Sequence, residues 1–157
     1  MGHGLLMRGS SNPPPEAALQ DGVFTTAQAL AHGYSHYRVR RLVRSGRWIA
    51  VLGSVYADRS AHLTPASLAR AAVLVAGTGA VASHTTAAQL WGLVVPADSD
   101  VHVIIERRRR WTVPGLRVHR IALRDDEVAV RSSVTASGRT VWCERGTRSF
   151  GSRGTTS

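Results

Sequence analysis

Between Gly22 and Ala57 the chain carries no Asp or Glu, yet it holds arginines at 38, 40, 41, 44 and 47. Most of that charge falls within AQALAHGYSHYRVRRLVRSGRW, and the spacing there fixes a shape. Ala29 lies four residues before Gly33, and Val39 and Leu42 follow that glycine by six and nine residues. A small residue at Ala29 lets two helices approach, and Gly33 supplies the positive φ of a tight turn between them. Ser35 is the expected N-cap of the second helix. Placed at about 100° per residue from Ser35, Val39, Leu42 and Val43 share one face. Tyr37, Arg40, Arg41 and Arg44 take the opposite face, with His36 and Arg38 on the flanks. A face so nearly all cationic cannot pair its charges within itself and suits an external polyanion.

After Gly46, the segment Arg47 to Tyr56 reads as two short strands around Gly53, which is the wing of a winged helix-turn-helix. The expected fold class is therefore α+β. A winged helix-turn-helix over residues 21–58 is followed by a small α/β module over 63–135. The competing reading of 21–58 is a packing motif, since two amphipathic helices around a glycine turn are common. The arginine density of the second helix favours DNA. The DNA-binding candidates are Ser35, His36, Tyr37, Arg38, Arg40, Arg41, Arg44 and Arg47. Arg40 is the choice for a guanine contact, with Arg44 and Arg47 on the backbone.

Bulk properties agree. The formal charge of +10 over 157 residues is carried by arginine alone, because the chain has no lysine. Such a balance fits nucleic acid better than a small-molecule enzyme, although a GC-rich coding sequence also favours arginine over lysine. Cys143 is the single cysteine, which excludes an internal disulfide and cysteine-based zinc modules. The histidines at 3, 32, 36, 62, 84, 102 and 119 are scattered, and neither a metal nor another cofactor is expected. His84 is read as a partner for a helix terminus. No apolar run is long enough to span a membrane and no signal peptide is visible, so a cytoplasmic setting is expected. Catalysis is not expected either. There is no lysine for a D…ExK nuclease set, Asp125, Asp126 and Glu127 are adjacent and cannot all converge, and no GxSxG elbow occurs.

Along the rest of the chain, residues 1–20 are rich in Gly, Ser and Pro and read as a disordered arm. Thr64-Pro65 opens a helix over Ala66 to Ala76 that Gly77 stops, and a second helix runs from Thr85 to Trp91. Asp100–Glu106 and Leu116–Ile121 alternate at period two. Joined through Arg107, Arg108, Arg109 and Arg110, they read as a long β-hairpin with a basic tip, whose arginines are candidate phosphate contacts. Residues 141–157 show no periodicity and read as a disordered tail.

These residues resemble the AbiEi-type antitoxin and transcriptional-regulator family of type IV toxin–antitoxin systems, in its actinobacterial form. The likeness lies in VFTTAQALAHGYSHYRVRRLVRSGRWIAVLGSVYA, and more specifically in SHTTAAQLWGL and GLRVHR. It spans about residues 21 to 140. The resemblance implies a bacterial autorepressor that binds double-stranded DNA at its own operator, and a second module that engages a nucleotidyltransferase-like toxin. Relatives continue beyond the segment matching Arg139-Thr140 with an apolar helix, and this chain does not, which suggests a truncated or frame-shifted product. Two alternatives stand beside the regulator: a module that neutralises a toxin without binding DNA, and a non-functional remnant of a larger regulator.

Overall fold

The structure is a computed structural model that describes residues 11–96, 98–105, 112–123, 128–131 and 140–143, the last two as backbone only. It is an α+β arrangement. The first half runs α1 (Glu16–Leu19), β1 (Val23–Thr25), α2 (Thr26–Ala31), α3 (His36–Arg44), β2 (Trp48–Leu52) and β3 (Val55–Asp58). The second half runs α4 (Pro65–Ala76), β4 (Val81–Ala82), α5 (His84–Leu90), β5 (Val101–Ile105), β6 (Leu116–Arg120), β7 (Val128–Arg131) and β8 (Thr140–Cys143). No described helix is long and apolar enough to cross a membrane.

Local chemistry sets the helix ends. Thr25 and Gln28 form a capping box at α2, and Thr64 and Ser67 form another at α4, with Pro65 in the first turn. The Ser35 hydroxyl accepts from the Arg38 N–H at 3.1 Å and starts α3. Gly33 has φ 83° and no atom within 4 Å of where a Cβ would sit, so backbone conformation, not space, requires glycine there.

The first sheet is antiparallel in the order β1-β3-β2 and is buried on both faces. Phe24, Trp48 and Tyr56 meet Ala29, Val39 and Leu42 on the helix-pair side. The Phe24 and Trp48 rings pack edge-on at 4.7 Å. On the other side, Val23, Leu52, Val55 and Ala57 join Ala71 and Ala72 of α4 and Val103 and Leu116 of the second sheet. A bulge between Ala50 and Leu52 turns Leu52 onto the same side as Ile49. The two expected modules thus share one core through α4. Asp21, at φ 55°, fastens the joint. Its carbonyl accepts from Ser67 Oγ at 2.7 Å, and its carboxylate accepts from Arg70 Nε at 3.1 Å.

Three expectations are corrected. The arm does not extend to Gln20: residues 16–19 form α1, the Trp48 indole N–H donates to the Ser11 carbonyl at 3.0 Å, and the Tyr34 hydroxyl donates to the Asn12 carbonyl at 2.7 Å. The polar group of the buried Trp48 ring needs a partner, and this stretch supplies it, together with one for the half-buried Tyr34. Second, β5 and β6 are parallel, not a hairpin: Val101 lies opposite Leu116 and Ile105 opposite Arg120. The turn at Pro114-Gly115 sits at the start of β5, where the Gly115 carbonyl accepts from the Val101 N–H at 2.8 Å. Residues His102 to Ile105 are all buried, as in a strand covered on both faces, and Val-His-Val-Ile-Ile is the near-continuous apolar run such a strand needs. Third, residues 141–143 belong to β8, which pairs parallel with β4 and antiparallel with β7 in a sheet ordered β6-β5-β4-β8-β7. Residues 144–157 lie outside the described residues.

Two substitutions probe this architecture. Asp21→Ala removes the carboxylate from a guanidinium that is 5% exposed, and urea unfolding is expected to register a loss of about 3 kcal/mol. Adding Arg70→Met should recover much of it, because the buried charge that lost its carboxylate is then gone. Gly33→Ala is expected to cost about 1 kcal/mol by the same measurement, through backbone strain alone.

Candidate nucleic-acid interface

Helix α3 has nine residues, and at about 1.5 Å per residue it spans about 13 Å. A B-DNA major groove, about 12 Å wide, admits an α-helix of this kind. Val39 and Leu42 are buried against Phe24 and Trp48, which turns the other side of the helix outward. His36, Tyr37, Arg40, Arg41 and Arg44 are exposed, and Tyr37 is 74% exposed, unusual for a large aromatic ring. Among the described residues none of Arg40, Arg41 and Arg44 has an ion-pair partner. Arg41 and Arg44 lie in the last turn, where the helix dipole favours cations, so the fold tolerates the charge without neutralising it.

Not every sequence candidate sits on that open face. Ser35 is occupied as the N-cap. The Arg38 guanidinium lies 4.8 Å from the centre of the Tyr34 ring, a cation–π contact within the protein. Arg47 is exposed beside the arm and donates to Ser11 Oγ at 3.0 Å. A hollow of about 440 Å³ runs along this edge, lined by Ser11, Arg38, Arg41, Leu42, Ser45 and Arg47. A second hollow, lined in part by Gly46, Arg47 and Arg59, continues it toward the end of β3. Three arginines and the Ser11 hydroxyl around one hollow are donors a phosphate oxygen accepts from, while the Ser45 hydroxyl donates to the Leu42 carbonyl at 3.0 Å. Ser11 and Arg59 went unnoticed in the sequence, since nothing local ties either one to α3.

The hairpin of β2 and β3 is not a free finger. A Cβ on Gly53 at its tip would lie 3.3 Å from Val113 Cγ1 and 3.5 Å from Val75 Cγ2. The Ser54 carbonyl accepts from the Thr26 N–H at 3.0 Å. The tip thus packs inward against the second half of the chain, and the hollows lie at the other end of the hairpin. Arg107, Arg108, Arg109 and Arg110 lie outside the described residues.

The sequence reading also passed over a group on the second sheet. His84, His102 and His119 come from the start of α5, from β5 and from β6, and each brings a ring nitrogen within 4.8 Å of the others. His102 and His119 lie on the same face of the sheet, and the His84 and His119 rings stack at 4.1 Å. His84 does open a helix, as expected, and its ring also turns into this cluster. Burial and the nearby His84, His102 and Arg117 side chains push the His119 imidazole below its ordinary pKa. The Asp100 backbone N–H and then the His102 ring hold the Asp98 carboxyl below the usual carboxylate range. The signal lay in VHV and VHR, each of which puts a histidine on one face of a strand.

No curated protein matches the chain. Residues 13–50, from the docked arm through α3 into β2, match the family model of transcriptional regulators described as AbiEi antitoxins.

Proposed function

We propose that this protein is a DNA-binding transcriptional regulator that represses its own operon, with residues 21–58 acting as a winged helix-turn-helix whose strands brace the fold. The observation that carries this reading is the outward face of α3, where Arg40, Arg41 and Arg44 stand together with no ion-pair partner among the described residues. The family match over residues 13–50 supports it independently. Helix α3 enters the major groove, and Arg40 makes a bidentate contact to guanine with His36 and Tyr37 beside it. Arg41, Arg47 and Arg59 hold phosphates along the flanking hollows, and Arg44 holds one from the exposed face of α3.

A second role, binding a nucleotidyltransferase-like toxin, draws on one observation. After α5 the chain exposes Trp91, Leu93 and Val94 together, an apolar surface that a protein partner would cover. This role adds to DNA binding and does not compete with it, because the surface lies beyond α5 and not on α3.

The test is fluorescence anisotropy of the full chain on its own upstream DNA and on scrambled DNA, at two salt concentrations. Preferential binding that weakens by orders of magnitude with added salt is expected. Equal affinity for both DNAs, or none for either, would reject the regulator. Arg40→Ala should cost about 1–3 kcal/mol on the operator and little on scrambled DNA. Arg44→Ala should weaken both alike and reduce the salt slope by about one. Identical losses for the two variants on the two DNAs would refute this division of labour.

A further inference from the structure

We propose that His84, His102 and His119 form a mononuclear transition-metal site that takes Zn²⁺, with its remaining coordination position open to solvent. The three side chains come from separate elements, yet their ligand atoms all lie within 4.8 Å of one another. Tetrahedral zinc with Zn–N bonds near 2.0–2.1 Å sets its nitrogens about 3.4 Å apart, so only small ring movements complete the triad. His102 Nδ1 and His119 Nε2 are already 3.0 Å apart.

The surroundings prepare the ligand atoms. Asp98 Oδ2 accepts from His102 Nε2 at 2.8 Å, which places the ring proton on Nε2 and leaves the Nδ1 lone pair facing the cluster. A carboxylate behind a histidine is the usual outer support of a zinc-bound imidazole. Without metal, the proton between His102 and His119 sits on His119 Nε2. Binding moves it to His119 Nδ1, so all three rings ligate as neutral imidazoles and none need be lost to solvent. His84 lies within hydrogen-bond reach of Ser83 Oγ, its Nδ1 being 3.0 Å away, which orients the ring. His84 also holds φ 50°, a left-handed conformation rare for a residue with a side chain, and its ring lies in the cluster.

The donor set selects the ion. Three imidazoles without a thiolate suit zinc and its neighbours and not magnesium or calcium, which take oxygen ligands. His84 is exposed, His119 half-buried and His102 buried, so the site opens on the His84 side. A bound ion there would tie the start of α5 to the β5–β6 pair, which the hydrogen bond from the His102 N–H to Thr86 Oγ1 at 2.8 Å already joins. This inference does not depend on DNA binding.

The test is calorimetric titration of the chelator-stripped full chain with Zn²⁺, paired with visible spectroscopy of Co²⁺ binding. One equivalent of zinc is expected, and cobalt should give d–d bands with no thiolate charge-transfer band. Asp98→Asn should weaken zinc binding about ten- to a hundredfold. His84→Asn and His119→Gln should each weaken it by at least about a hundredfold, more than loss of an outer support. Asparagine tolerates the left-handed backbone at 84, so that variant reports ligation even if the His119 variant fails to fold. His62→Gln, outside the cluster, should leave binding unchanged. Absence of one-equivalent binding, or binding that survives His84→Asn undiminished, would overturn the site and leave only a hydrogen-bonded histidine group.

Discussion

Helix α4 is the constraint on which both halves of the chain depend, because two sheets must reach it at once. Only small side chains permit that approach. Ala69, Ala71 and Ala72 are fully buried, with Ala71 and Ala72 in the core shared by both sheets and Ala69 against Ala82 beside α5. Small side chains contribute little hydrophobic area each, so the packing is closed by the larger residues brought from either side, chiefly Val23, Val55 and Val103. Ser67 and Arg70 then hold Asp21 through its backbone and its carboxylate together, and that pair of contacts fixes where the first sheet begins. Substituting a larger residue at Ala72 would force the sheets apart, which a well-packed core resists at about 1–3 kcal/mol.

The orientation of α3 follows from this arrangement by a short chain of contacts. The first sheet is pinned by α4 on one side, so its other side can only receive the helix pair. Phe24 and Trp48 take up Val39 and Leu42, and the arginines are left pointing outward. The arm completes the support by capping the Trp48 indole and the Tyr34 hydroxyl with the carbonyls of Ser11 and Asn12. It also brings Ser11 Oγ to Arg47, at the rim of the hollow beside α3. One segment thus stabilises the back of the helix pair and borders the surface assigned to phosphate.

What could be read in the sequence was what depends on near neighbours. The caps at Ser35 and Thr64, the turn at Gly33, the strands flanking Gly53 and the sidedness of α3 all follow from residues within a few positions of one another. What could not be read depends on distant partners. Alternation in residues 100–106 and 116–121 identifies two strands but is silent on their relative direction, and the pairing proved parallel. Nor does the composition of residues 11–20 show that the Trp48 and Tyr34 rings await their carbonyls.

The histidine group shows the same limit at the level of a site. Each histidine alone reads as unremarkable: one at a helix start, one in an apolar strand, one in a strand rich in arginine. Only the register, with His102 opposite Arg117 and His119 opposite Ile104, sets two of them on a common face one step apart. The bend at His84 then swings the third ring over His119. Three imidazoles this close bring ring nitrogens from three separate elements to within 4.8 Å of one another, near enough to share a proton or a metal. That cluster stands apart from the arginine face of α3. On the proposed readings the two surfaces therefore suit different ligands: α3 a polyanion, through its arginines, and the second sheet an ion that takes nitrogen donors.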